Sequence, residues 1–217
     1  MGNKVNPNGY RLGILHTWSS RWFAPDKHQY RKYLFEDVQI RTMLRERFMN
    51  AGLVSIEIER SLSGMRIVMS AVRPGIIIGR GGKGLEDLRK VILTLLKVPV
   101  AEQSKYTLDL KIEQFKKPFL SARYTADYIA ERIIKNFSHR NLAHNTMDRV
   151  MESGAKGVKV MYSGRIRGAS IARREKYQLG TVPLSSIRED VDFAHTPALT
   201  RNGYVGVKVW ICRTATT

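Results

Sequence analysis

The chain has 217 residues, 37 of them Lys or Arg against 19 Asp or Glu, with a formal net charge of +18, 43% hydrophobic residues and one cysteine. That apolar fraction excludes disorder as a description of the whole chain and suits one or two folded domains. Cys212 alone excludes an intramolecular disulfide and fits a reducing compartment. The charge excess is spread along the chain: 21 basic and 11 acidic residues lie up to Lys117, and 16 and 8 follow it. Arg outnumbers Lys 22 to 15, and a guanidinium fork meets phosphate oxygens in a bidentate way that an ammonium cannot. The composition therefore favours a polyanionic partner, with solubility as the bland alternative. The longest apolar runs fall far short of a bilayer span, and Met1 to Tyr10 lacks the apolar core of a signal peptide, so a cytoplasmic setting is expected.

Residues 1–25 show no persistent period and read as a loosely structured arm, with Trp18, Trp22 and Phe23 available for packing or base stacking. A helix is expected from Lys27 to Asn50, with Tyr30, Leu34, Val38, Met43 or Leu44, and Phe48 as its apolar face. Val54, Ile56 and Ile58 alternate with polar residues, as do Ile67, Met69 and Ala71 after a turn at Ser63-Gly64, which predicts two strands. Pro74 ends the second strand, and Gly75 to Ile78 leads into a glycine turn. Leu85, Leu88, Val91, Ile92 and Leu95 then mark a helix, and Tyr106, Leu108, Leu110 and Ile112 a third strand.

Phe115-Lys116-Lys117-Pro118 separates two periodic segments and serves as the expected linker. Beyond it, Leu120 to Phe137 and a segment around Met147, Val150 and Met151 read as helices. Strands are expected around Val158 to Tyr162, Glu175 to Gln178, Val191 to Ala194, and Val205 to Ile211. The second half is thus two helices packed on a mainly antiparallel sheet, and the whole chain is of the α+β class.

Gly79-Arg80-Gly81-Gly82-Lys83-Gly84 fits several patterns. As G-x-G-x-x-G it resembles a dinucleotide fingerprint, but a hairpin precedes it where a parallel βαβ unit is needed. A phosphate-binding P-loop needs Ser or Thr after Lys83, and Gly84 stands there. A plain tight turn between helices is a further alternative. Read as G-x-x-G between two helices, it gives backbone without Cβ atoms for a sugar-phosphate chain to approach, beside a helix N-terminus and two cations. The element order and the Ile76-Ile77-Ile78 lead-in resemble a type II K-homology (KH) module, whose loop clamps single-stranded nucleic acid.

Four stretches in order carry a closer resemblance: Met1 to Ile14, Arg73 to Gly79, Ser163-Gly164-Arg165-Ile166-Arg167-Gly168 through Arg173, and Gly206 to Ile211. Together they resemble the bacterial-type small-subunit ribosomal protein S-three family over almost the full length. That resemblance implies an arm (1–25), a type II KH domain (26–115) and a second α+β domain (116–217). It also implies a structural, non-enzymatic component of the small-subunit head that binds rRNA and lines the path along which mRNA enters. Its implied neighbours are rRNA, mRNA and proteins S-ten and S-fourteen, with no cofactor, metal, membrane or small-molecule substrate. A free-standing KH regulator acting off the ribosome is the alternative.

The expected RNA contacts are Gly79, Arg80, Gly81, Gly82 and Lys83 in the turn and Lys4 and Arg11 in the arm. In the second domain they are Arg165, Arg167, Arg173, Arg174 and Lys176, within a segment from Lys156 to Lys176 that holds seven cations and one acid. The family's basic helix in the second domain aligns with Arg140 to His144, where Arg140 is the sole permanent charge. Lys135, Arg140, His144 and Arg149 are therefore the expected residues on the mRNA side. His139 and His144 lack companions at metal-ligand spacing, and Cys212 reads as a packed thiol.

Overall fold

A computed structural model describes residues 4–61, 64–96 and 107–214. The chain divides into two compact units, Trp18–Lys116 and a second made of Met1–Thr17 with Lys117–Thr217. The division falls between Lys116 and Lys117, and residues 1–17 group with the second unit while residues 18–25 group with the first.

In the first unit, β1 (Ser20–Arg21) precedes α2 (Lys27–Arg47), β2 (Leu53–Arg60) and β3 (Gly64–Ala71), then α3 (Pro74–Ile78), α4 (Lys83–Leu95) and β4 (Thr107–Gln114). A short helix in the arm, α1 (Pro7–Tyr10), comes before them. The sheet order is β1-β2-β3-β4, with β2 and β3 antiparallel and both outer pairings parallel. Leu88 and Ile92 of α4 pack with Ile40 and Leu44 of α2 over Ile56, Ile58, Ile67 and Met69 of the sheet, all within one core. The helix–strand–strand–helix–helix–strand order is that of a type II KH domain, as expected. Ser63 and Tyr106, named for a turn and a strand, lie outside the described residues.

The expected helix face holds only in its second half: Leu44 and Phe48 are buried, whereas Tyr30, Leu34 and Val38 are exposed and α2 buries Asp37 and Ile40 in their place. Asp37 belongs inside because it is fully partnered. Its Oδ1 accepts from Arg60 Nη2 at 2.6 Å, and its Oδ2 accepts from Ser20 Oγ at 2.9 Å and Trp22 Nε1 at 2.8 Å. A buried carboxylate is tolerated when its lone pairs are used this way. The same contacts commit Trp22 to the protein, packed against Tyr30 and Tyr33, while Trp18 and Phe23 stay exposed.

In the second unit, α5 (Ala122–Ile134) and α6 (His139–Glu152) pack on β5 (Ala155–Gly164), β6 (Arg173–Gly180), β7 (Val191–Thr200) and β8 (Gly203–Arg213). The sheet order is β6-β5-β8-β7, antiparallel throughout. Alternation sends Val158, Val160 and Tyr162 of β5, and Val207, Val209 and Ile211 of β8, toward the helices. Pro197 lies within β7, a place open to it because β7 is an edge strand.

Arg11, expected on RNA, is instead buried within this unit. Its Nε donates to Glu189 O at 2.6 Å, its Nη1 to Pro7 O at 3.1 Å, and its Nη2 to Ser186 O at 2.8 Å and Pro183 O at 3.2 Å. Asn8 acts alongside it as a false strand partner for the β7 edge. Its Oδ1 accepts from Phe193 N and its Nδ2 donates to Phe193 O, both at 3.0 Å. Buried and hydrogen-bonded to the protein's own carbonyls through Nε, Nη1 and Nη2, Arg11 is closed off from solvent; it anchors the N-terminal segment to its unit.

Candidate nucleic-acid interface

The turn between α3 and α4 is built from backbone that side chains would spoil. Gly79, Gly81 and Gly82 have φ of +70°, +62° and +81°, in the left-handed region that favours glycine. Nothing lies within 4 Å of where a Cβ would stand on Gly81 or Gly82, so the outer surface of the turn is open. Gly84 serves packing instead: a Cβ there would meet Ile77 O at 2.6 Å and Ile78 O at 2.8 Å. The absence of that side chain lets α3 and α4 close together and aims the α4 N-terminus outward.

Arg80 and Lys83 are exposed on this turn, and among the described residues neither pairs with a carboxylate. The turn thus presents low-relief backbone, free N–H groups at the start of a 13-residue helix and two available cations. Such a surface suits a phosphodiester chain at close range.

The basic stretch of the second unit divides once its neighbours are visible. Arg173, Arg174 and Lys176 lie on β6, which is an edge strand, as the sequence suggested. Arg173 Nε pairs with Glu175 Oε1 at 2.8 Å, while Arg174 and Lys176 are exposed and have no such partner among the described residues. Arg165 Nε donates to Ala169 O at 3.0 Å, bracing the turn that leads to β6. Arg167 sits exposed in that turn at φ +55°, next to Gly168 at +77°. Lys4 is exposed and close enough to Lys159 to disfavour its charge.

The four residues expected on the mRNA side do not form one cluster. Arg140 and His144 lie a turn apart on α6, and the His144 ring packs edge-on against Tyr177 at 5.7 Å between centroids. Lys135 follows α5 and pairs with Glu131. Arg149 Nη1 donates to Tyr128 Oη at 3.0 Å, and its guanidinium lies over Phe119, 5.7 Å from the ring centroid. Nine residues of helix separate it from Arg140, about 13 Å at 1.5 Å per residue.

Beneath Arg140, His139 Nε2 lies 2.8 Å from Glu175 Oε2, and Tyr177 Oη donates to the same oxygen at 2.6 Å. The Tyr177 hydrogen bond holds the Glu175 carboxyl below its ordinary value, against burial, with help from His139 and Arg173. This cluster ties α6 to the β6 edge.

Lys208 escaped the sequence-based set, although the alternation of β8 places it opposite the buried Val207 and Val209. The comparisons with known proteins cover both units. The profile described as KH domain matches residues 39–118, and that described as Ribosomal protein S3, C-terminal domain matches residues 129–211. Small ribosomal subunit protein uS3 of Caldicellulosiruptor saccharolyticus is 44% identical over 97% of this chain and 91% of its own length. The proteins of the same name from Coprothermobacter proteolyticus and Clostridioides difficile are each 40% identical, over 97% and 98% of this chain and 87% and 75% of their own lengths.

Proposed function

Because this chain belongs to the small ribosomal subunit protein uS3 family and is a structural, RNA-binding component of that subunit, we propose that it sits in the subunit head and lines the path by which mRNA enters. The observation that carries the reading is the glycine turn, where open backbone, a helix N-terminus and the unpaired Arg80 and Lys83 converge. Phosphate is bound there by charge and by backbone N–H groups, with affinity gained through counterion release. Arg174, Lys176 and Arg167 add contacts from the second unit.

On the mRNA side the reading rests on Arg140 and His144, with Arg149 and Lys135 as outlying charges that are already engaged by neighbours. With Arg140 the one permanent charge between residues 140 and 144, any strand-separating role is weaker than a fuller basic cluster would give. Proteins S-ten and S-fourteen are the proposed neighbours in the head. Leu34, Phe35 and Val38 of α2, exposed together, support a protein contact on the first unit. Among the described residues no helix is long and apolar enough to cross a membrane.

The test is sucrose-gradient sedimentation of the intact chain with small subunits at rising salt. Arg80→Glu with Lys83→Glu is expected to leave the subunit fraction at lower salt than the parent. Identical profiles would remove the turn from the interface, and a parent chain that never co-sediments would overturn the ribosomal placement.

A further inference from the structure

β6 and β7 are the two edges of the second unit's sheet, and an edge strand ends its sheet with a row of backbone groups open to another strand. β6 carries Arg173, Arg174 and Lys176, and charge along an edge discourages strand addition. β7 has no Lys or Arg, and its one carboxylate, Asp192, is engaged by Arg213 at 2.7 Å. Its edge lacks the protection that charge gives β6.

Two other devices stand there. In an antiparallel ladder the N–H and C=O of one residue point to the same side, and alternate residues point to opposite sides. Asn8 engages both groups of Phe193 from outside the sheet, and the register of β7 on β8 is unbroken. The backbone of Val191, Phe193, His195, Pro197 and Leu199 therefore faces outward. Pro197 puts its missing N–H on that open side and interrupts the second half of the edge. What remains is Val191 to His195, and Asn8 sits on its middle residue.

Asn8 is held in that place. It lies on α1, where the Asn6 cap accepts from Asn8 N at 3.0 Å. Arg11 is buried just beyond, with donors on Pro7, Pro183, Ser186 and Glu189. His16 Nε2 lies 3.1 Å from Asp190 Oδ1, immediately before β7. A segment so anchored lets one side-chain amide stand in for a strand.

Without Asn8, the open stretch fits itself. Two copies related by a two-fold axis at Phe193 run antiparallel, with Phe193 opposite Phe193 of the second copy and Val191 opposite its His195. Asp192 then falls opposite Ala194, so no like charges meet across the pair. The outward-facing residues exchange both backbone bonds with their opposites. We propose that the β7 edge is a self-association surface, fitted to the same edge of a second copy of this chain and kept shut by Asn8 and Pro197. The free chain is monomeric because its N-terminal segment occupies the edge. This inference is independent of the RNA-binding reading.

Sedimentation equilibrium of the nuclease-treated full chain over a concentration series tests it, together with amide hydrogen exchange. Asn8→Ala opens the centre of the edge, and Asn8→Ala with Pro197→Val opens its whole length. The double variant is expected to dimerise at concentrations about tenfold or more below any at which the parent associates. The Phe193 amide is expected to exchange faster in monomeric Asn8→Ala than in the parent, and to be protected again in the dimer. A folded double variant as monomeric as the parent overturns the proposal, as does a dimer whose Phe193 amide stays unprotected. Should Pro197→Val prevent folding, Asn8→Ala decides alone. A dimer with Phe193 protected then supports the surface, and a monomer at every concentration overturns it.

Discussion

Arg11 and Arg80 are both arginines within two residues of a glycine, and they meet opposite ends. Arg11 is sealed inside the second unit with its donors on the carbonyls of Pro7, Pro183, Ser186 and Glu189, whereas Arg80 stands in solvent on a turn without side-chain bulk. The difference lies in what surrounds each residue. A guanidinium close to several unpaired backbone carbonyls satisfies them and is itself satisfied. Where the nearby backbone is a helix N-terminus, the unpaired groups are N–H donors, and the cation and the donors seek the same anion. Positive charge marks a nucleic-acid surface only where the chain has not already used it.

Substitutions can break that contrast. The largest effect is expected from Arg11→Ala, which leaves several carbonyls without donors and frees the N-terminal segment, lowering unfolding stability by about 3 kcal/mol or more. Chemical denaturation should show that loss, while rRNA affinity of the folded fraction stays near the parent's. Reduced affinity at full foldedness would return Arg11 to the interface.

Next come two glycines three residues apart. Gly84→Ala drives a methyl into the carbonyls of Ile77 and Ile78 and should cost about 2 kcal/mol through loss of the α3–α4 packing. Gly81→Ala meets no neighbour and bears only the left-handed backbone strain, about 1 kcal/mol. The second variant should nevertheless lose more RNA affinity than stability, because its methyl stands where the phosphate chain approaches. Thermal melts paired with filter binding separate the two.

A smaller effect is expected from Asn8→Ala, about 1 kcal/mol, from loss of the paired bonds to Phe193. The smallest is pH-dependent. Glu175 has a folded-state value below the ordinary carboxylate range, so its contribution is present above that range and is lost as pH falls through the folded value. Glu175→Gln should therefore narrow the stability gap between neutral and acidic pH, read from denaturant midpoints across pH 3 to about 7. A parallel shift at every pH would mean that the carboxylate charge is immaterial.

Much of the fold was legible because its strands alternate cleanly. Val158-Val160-Tyr162 and Val205 to Ile211 announce strands buried on one face, and the glycine turn flanked by Pro74 and Leu85 announces two helices meeting. What misled was polarity that only tertiary partners can explain. Asp37 reads as an exposed position until Arg60, Ser20 and Trp22 are brought to it, and that places the buried face of α2 away from Tyr30, Leu34 and Val38. β7 runs to Thr200, beyond the expected Ala194, because an edge strand tolerates Pro197 and polar residues that a central strand would not. The site divided in the same way. The exposure of Arg80 and Lys83 on the turn was readable from local chemistry, whereas the burial of Arg11 depends on a loop more than 170 residues away, and the alignment of Lys208 with Lys176 depends on strand order.

The most direct measurement is the salt dependence of full-chain binding to small-subunit rRNA for the parent and for Arg80→Gln with Lys83→Gln. If unpaired cations at the glycine turn neutralise phosphates, the slope of log affinity against log salt falls by about 1.4 to 1.8. A double variant whose affinity and slope both match the parent's would show that the turn does not hold the RNA.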